Sequence, residues 1–143
     1  MREYWQNARR NKVSSLWNGG RYDIEIEIMK ALTDYTEEVA QEIEAAAGRR
    51  AKEAVQTLKE TSPRSKESHP HYADGWAIRK KKSGGHLEIT IYNRRKPHLT
   101  HLLEFGYLKK GGTRVKDRPH ITPVQEQLNR DFAADCEEII KNA

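Results

Sequence analysis

Between residues 22 and 61 the hydrophobic period changes from two to about 3.6, and the second stretch is long for a chain of this size. Tyr22, Ile24, Ile26 and Ile28 alternate with Asp23, Glu25 and Glu27. That alternation, rich in β-branched residues, predicts a half-buried strand over 22–28. Leu32, Tyr35, Val39, Ile43, Ala46, Ala47, Ala51, Val55 and Leu58 then recur at steps of three and four, which predicts one helix over about 30–61. Glu37, Glu38, Glu42 and Glu44 fall in its early turns, and Arg49, Arg50, Lys52 and Lys59 in its later ones. This order complements the helix dipole. At 1.5 Å per residue the helix is about 46 Å long. A compact 143-residue domain has a radius of gyration of about 14–15 Å. The helix is therefore expected to protrude or to bend, with Gly48 as the weak point, and to invite packing against another copy.

Pro63 ends this helix, because Ser62 before it is pushed out of the helical region. Residues 62–75 predict a polar, mobile loop. Trp76–Lys82 and Leu87–Asn93 flank Ser83-Gly84-Gly85 and predict a β-hairpin, with the basic run Arg79, Lys80, Lys81, Lys82 near its tip. Residues 98–106 predict a short helix closed by Gly106. Phe105 is expected to anchor that helix in the core and Gly106 to take a left-handed conformation; a sharper expectation gives Glu104 an intersubunit bond. Thr122-Pro123-Val124-Gln125 has the spacing of a capping box. Val124, Leu128, Phe132, Cys136, Ile139 and Ile140 then mark a buried stripe, which predicts a last helix over 123–141. Residues 1–21, with Trp5 and Trp17 in a polar stretch, are expected to be a flexible N-terminal arm, or one docking on a neighbour through its tryptophans. Residues 22–143 are expected to form a single domain. The fold class is α+β: a small antiparallel sheet, made of the N-terminal strand plus the hairpin, packed by one long helix and a C-terminal helix.

Charge is unevenly distributed along the chain. Residues 61–120 carry 14 Lys+Arg against 5 Asp+Glu, whereas residues 31–60 carry 4 against 7 and residues 121–143 carry 2 against 5. A basic middle between acidic segments suits contact with nucleic acid, or the joining of one subunit's basic face to a neighbour's acidic helices. A single cysteine, Cys136, excludes an internal disulfide and suits a reducing compartment. The chain has no apolar run of the roughly 20 residues that a membrane span requires and no secretory h-region at its start.

The chemistry of catalysis is hard to assemble from these residues. Ser65, His69 and Asp74 offer a nucleophile, a base and an acid only by composition, within a loop expected to move. Gly84-Gly85 and Gly111-Gly112 lack phosphate-loop spacing and are more simply turns. His69, His71, His98, His101 and His120 lie in or beside loops, and His86 begins a strand. His98 and His101, three apart, would still need two further zinc ligands. The expectation is no catalytic residue, no metal and no cofactor. The strongest competing function is nucleic-acid binding, by Lys and Arg on the hairpin and at 94–96, 109–110 and 114–118, with Tyr92 and Tyr107 for stacking.

Four segments carry a family resemblance when taken in order: Thr61-Ser62-Pro63 after the long helix; Tyr72-Ala73-Asp74-Gly75-Trp76 opening the hairpin; His101-Leu102-Leu103-Glu104-Phe105-Gly106; and Arg118-Pro119-His120-Ile121-Thr122-Pro123. In these the chain resembles the HK97 gp10-like phage proteins, over roughly residues 24–141. It departs from that pattern at Ala73-Asp74-Gly75, at His120 and at Thr122-Pro123-Val124. The resemblance implies a non-catalytic structural subunit of a tailed phage or prophage. Such a subunit forms an oligomeric ring in the head–tail connector or neck, or completes the tail for joining to the head. The implied partners are further copies of the chain and connector, stopper, tail-terminator or tail-tube proteins, with non-specific contact to DNA and none to a membrane. The implied location is the virion, and the host cytoplasm during assembly. Assembly candidates are Arg79, Lys80, Lys81, Lys82, Glu104, Phe105, Gly106, Arg118, Pro119, His120 and Pro123.

Overall fold

The structure, a computed structural model, describes residues 12–18, 21–29, 36–64, 71–83 and 86–142. Its elements are β1 (Lys12–Asn18), β2 (Arg21–Met29), α1 (Glu37–Thr61), a 3₁₀ turn (Tyr72–Gly75), β3 (Trp76–Ser83), β4 (His86–Asn93), α2 (Leu99–Phe105), β5 (Tyr107–Leu108), β6 (Arg114–Val115) and α3 (Ile121–Lys141). The larger sheet is antiparallel throughout, in the order β1-β2-β4-β3, and β5 and β6 form a two-stranded ribbon. The architecture is α+β, with a long helix and a C-terminal helix against a small sheet, as the hydrophobic periods predict.

The sheet has one strand more than expected. Lys12–Asn18, read from sequence as part of an arm, pairs along its length with β2, from Lys12 opposite Glu27 to Asn18 opposite Arg21. This makes β2 an interior strand. Asp23 and Glu25, expected on the open side of a half-buried strand, are only 1% and 8% exposed. Residues 1–11, including Trp5, lie outside the described residues, as does the side chain of Trp17.

One sheet face is apolar. Ile24, Ile26 and Ile28 stand opposite Ile91, Ile89 and Leu87, and all six are buried. Each fully buried isoleucine stabilises the fold by about 1.5–3 kcal/mol. Over this face α1 covers β3 and β4, and α3 covers β1 and β2. The α1 side of the contact is mostly alanine: Ala40, Ala46, Ala47, Ala51 and Ala54 are buried beside Ile43 and Leu58. Such short side chains let the helix lie close to the sheet. From α3 come Val124, Leu128, Phe132 and Cys136, the predicted stripe, with Ile139 and Ile140 half-buried.

Helix α1 starts with Thr36 as its cap, whose Oγ1 accepts from Val39 N–H at 3.2 Å. Residues 30–35, where the helix was expected to begin, are outside the described residues. Over 25 residues α1 runs about 37 Å. It is helical throughout, Gly48, the expected weak point, included. A Cβ there would sit 3.6 Å from the Lys80 Nζ, so Gly48 marks where β3 passes the helix. Ser62 is extended (φ −66°, ψ 146°) and ends α1 before Pro63, as predicted. Helices α1 and α3 run antiparallel. Arg50 makes a two-pronged bond to Asp135, at 2.6 and 2.9 Å, while Thr57 and Val124 line one hollow between the helices. The guanidinium holds the Asp135 carboxyl below its ordinary range.

The predicted hairpin is present as β3 and β4. Residues 84–85 of its turn, and 65–70 of the preceding loop, lie outside the described residues. A polar, mobile loop was expected up to Gly75, but Tyr72–Gly75 forms a 3₁₀ turn with Tyr72, Ala73 and Gly75 buried.

Candidate assembly surfaces around a buried helix cap

The chain leaves β4 through Asn93, which is fully buried. Its Nδ2 donates to the Tyr72 carbonyl at 2.7 Å, and its Oδ1 accepts from the Arg95 and Lys96 N–H groups. This side-chain turn swings the backbone toward α2. Thr100, also buried, donates to the Pro97 carbonyl and accepts from Tyr22 N–H, tying α2 to the start of β2. Gly106 closes α2 at φ +76°, as predicted. A Cβ on it would lie 2.6 Å from the Val115 carbonyl oxygen, because the end of β6 and the chain after it fold back across the helix end. There Arg118 N–H donates to the Leu103 carbonyl at 2.7 Å.

Within α2 the expected roles of two neighbours are exchanged. Phe105, expected to anchor the core, is 44% exposed, whereas Glu104 is 2% exposed. Successive helical residues are about 100° apart, so facing Glu104 inward turns Phe105 out. Phe105 lies against the edges of Tyr22 and His101, with ring centroids 5.2 and 4.9 Å away. Glu104 points at the start of α3. Its Oε1 accepts the His120 and Ile121 N–H groups at 2.9 and 2.6 Å, and its Oε2 accepts Thr122 N–H at 3.2 Å. The next residue, Pro123, has no N–H. Every backbone donor that the first turn leaves open is thus satisfied by one carboxylate at the positive end of the helix dipole. Thr122 is therefore not the cap, and the helix begins at Ile121 with His120 before it. Charge-assisted bonds to three donors outweigh one hydroxyl bond to a single N–H.

His120 extends the cluster. Its Nδ1 is 2.8 Å from the Arg118 carbonyl and its Nε2 is 2.8 Å from the Tyr72 hydroxyl. A carbonyl only accepts, so Nδ1 carries the proton and Nε2 accepts from Tyr72. Burial holds the His120 pKa below its ordinary value. Burial also raises the Tyr72 pKa, with the Glu104 charge adding to the effect. Trp76 packs edge-on to Tyr72 and His120, and its Nε1 donates to the Ser62 hydroxyl at 2.8 Å. Ser62, Tyr72, Trp76, Glu104 and His120 come from the four segments that carry the family resemblance. They meet in one buried knot, which closes α1, β3, α2 and α3 on one another.

The remaining assembly candidates lie outside this knot. Arg79–Lys82 are all exposed on β3, an edge strand. The Arg79 guanidinium sits 5.0 Å from the Tyr92 ring centre, and Lys82 reaches Glu44 at 3.5 Å. Arg118, Pro119 and Pro123 are exposed. Beside them the β5–β6 ribbon projects Leu108, 66% exposed, and the loop Lys109–Thr113, closed by bonds between Lys109 and Thr113 and between Gly112 and Lys109. Sequence alone did not single out Leu108; an isolated leucine before Lys-Lys-Gly-Gly carries little signal.

Among the described residues, Glu27, His86 and Glu88 bring ligand atoms within 4.8 Å of one another on the polar sheet face. The register puts Lys81 opposite Glu88, and His86 Nδ1 lies 3.7 Å from the Glu88 carboxylate, so this acid already faces two basic groups. Ser65 and His69 lie outside the described residues, and Asp74 is exposed and paired with Arg64 at 2.9 Å. No helix among the described residues is long and apolar enough to cross a membrane.

A family model described as "Bacteriophage HK97-gp10, putative tail-component" matches residues 26–106, more than half of the chain. The match runs from β2 to the end of α2 and stops before α3, so it includes Glu104 but not His120. No curated protein and no solved structure matches the chain.

Proposed function

The chain belongs to the HK97 gp10-like family of phage tail components, and from that premise we propose that it is a non-catalytic ring-forming subunit of the head–tail connector or of the completed tail end. The observation that carries this reading is the family match, which covers β2 to β4, α1 and α2 and so the part of the fold that sets the subunit's shape. The geometry supports it. Both sheet edges, β1 and β3, lack a partner strand within the described structure. Unlike charged surfaces on one subunit suit a heterologous contact, which closes into a ring when the rotation allows. The buried carboxylate of Glu104 is used in capping α3, and both ring nitrogens of His120 are bonded to Arg118 and Tyr72.

On this reading the partners are further copies of the chain and neighbouring neck or tail proteins, the location is the virion, and assembly takes place in the host cytoplasm. The test is deletion of the gene in the phage or prophage that encodes it. Particles are collected by gradient centrifugation and viewed by electron microscopy. The expected result is separate heads and tails, or tails of abnormal end structure, restored by the gene in trans. Normal infectious particles without the protein overturn the proposal. The exposed basic edge of β3 favours a second reading, binding of nucleic acid. Tight retention of DNA in gel shifts by a chain that never enters particles selects that reading.

A further inference from the structure

The two most strongly charged surfaces of the helical layer lie at opposite ends of α3. At the N-terminal end, Lys109, Lys110, Arg114, Lys116 and Arg118 are exposed around the β5–β6 ribbon, with Asp117 as the sole acidic residue from 107 to 118. Among the described residues none of these five forms an ion pair, so their charge is not neutralised within the subunit. At the centre of this basic rim stand Phe105 and Leu108, the large hydrophobic residues exposed in the described structure. A leucine 66% exposed at the end of a two-residue strand contributes little to its own fold.

The other end has the opposite character. Because α1 and α3 are antiparallel with Arg50 against Asp135, the last turn of α3 lies beside about residues 44–48 of α1, and the first two turns of α1 project past it. Glu37, Glu38 and Glu42 are exposed on the projecting turns of α1, and Glu137 and Glu138 on the last turn of α3, where Ile139 and Ile140 are half-buried. Glu137 is paired with Lys141 at 3.4 Å, Glu44 with Lys82, and Glu37 is engaged within the subunit, which leaves Glu38, Glu42 and Glu138 as the acidic surface. The 21 residues of α3 separate the two ends by about 30 Å. They cannot meet within one chain.

We propose that the β5–β6 loop of one copy docks, through Leu108 and its lysines, on the acidic end of the α1–α3 layer of the next copy. The inference rests on the ring reading above and names the contact that would build it. A basic rim around an apolar knob meets an acidic surface that ends in two half-buried isoleucines. The charges set orientation and encounter rate, while the leucine supplies buried apolar area. The contact joins unlike surfaces of identical chains, so each copy retains one of each for its other neighbour.

Two charge reversals of the full chain test this: K109E/K110E/R114E in the loop and E38K/E42K/E138K at the acidic end. Molar mass is read by size-exclusion chromatography with light scattering at low salt, and folding by thermal melts. The wild-type chain is expected to self-associate, more weakly as salt rises. Each reversed chain alone is expected to lose at least tenfold in self-association without a change in melting. An equimolar mixture restores assembly, since each chain then carries the complement of the other. Leu108→Ser provides a charge-neutral variant with the same expected loss. Association that survives all three variants, a mixture that fails to reassemble, or a wild-type chain that stays monomeric overturns the contact. So does a loop variant that loses salt-dependent DNA retention while associating normally, since the loop would then be a nucleic-acid surface. Particle content is measured separately. Variants that enter particles and assemble normally sink this contact and leave the ring reading standing, whereas a wild-type chain absent from particles sinks that reading.

Discussion

Glu104 of α2 accepts the Ile121 N–H of α3 at 2.6 Å, so a side chain from one helix provides the cap of another. The two residues are 17 positions apart, and both are buried. The bond fixes where α3 begins and how α2 lies across its end. Everything carried between them, the β5–β6 ribbon included, is positioned by this contact. Glu104→Ala removes the acceptor for three backbone donors, two of them buried. Bonds to a charged group are worth about 1.5–3 kcal/mol each, offset in part by the cost of burying the carboxylate. We predict a net loss of about 3 kcal/mol in urea melts, with Glu104→Gln at about half that. A loss under about 1 kcal/mol for Glu104→Ala would show that water caps the helix as well.

The exposure of Phe105 reverses what its place in a Leu-Leu-Glu-Phe run suggests. We predict that Phe105→Ala costs about 1 kcal/mol or less, since the ring is 44% exposed and its aromatic partners, Tyr22 and His101, lie at the surface beside it. Phe132→Ala, at 1% exposure, should cost about 3–5 kcal/mol. Paired chemical melts of the two variants settle the point: equal losses would place Phe105 in the core after all.

Long-period features were legible in the sequence because they arise from many residues at once. The stripe of α1, the alternation of β2 and β4 and the Val124–Cys136 face of α3 all follow from repeated apolar positions. The cap was not legible, because it depends on one acid meeting a backbone 16 to 18 residues away. A seven-residue helix is also too short for its period to say which of Glu104 and Phe105 faces inward. The Thr122-Pro123-Val124-Gln125 pattern gave a local alternative that the distant carboxylate displaces. β1 was missed because Lys-Val-Ser-Ser-Leu-Trp-Asn alternates weakly. A signal was nevertheless present: Gly19-Gly20 sits where the register, Asn18 opposite Arg21, requires a two-residue hairpin connection.

Gly106 combines a left-handed backbone with a close approach. At φ +76° any side chain is strained, and a Cβ would also meet the Val115 carbonyl at 2.6 Å. We predict that Gly106→Ala costs about 2–3 kcal/mol, more than the entropy it recovers in the unfolded chain. Gly111 takes no positive φ and has nothing near its Cβ direction, so Gly111→Ala should lie within about 0.5 kcal/mol of wild type. Thermal denaturation distinguishes the two. Equal shifts would mean that the chain after β6 is free to move away from α2.

His120 makes stability depend on pH in a direction that follows from its partners. Both ring nitrogens have partners that fit the neutral tautomer, and burial depresses its pKa from 6.5 against the opposing pull of the Arg118 carbonyl and the Glu104 carboxylate, 3.3 Å from Nδ1. The folded state therefore binds fewer protons than the unfolded state as pH falls through the unfolded value. Stability contributed by the neutral ring is fully present above about pH 6.5 and is lost progressively below it, down to the folded-state pKa. The slope is at most about 1.4 kcal/mol per pH unit for one group. Asp135, held low by Arg50, acts in the same sense but only below its ordinary value of 3.8. Asp23, raised by burial, acts oppositely between 3.8 and its own folded value. The window nearest pH 6 thus reports His120 most directly. We predict that urea midpoints fall between about pH 7 and 5.5 for the wild-type chain and much less for His120→Gln, which cannot titrate there. Tyr72→Phe should lower stability at pH 7 and flatten the pH profile, since Nε2 then loses the donor that favours the neutral ring. Parallel pH profiles for wild type and His120→Gln would mean that the ring is already protonated in the fold, or that another group governs the acid limb.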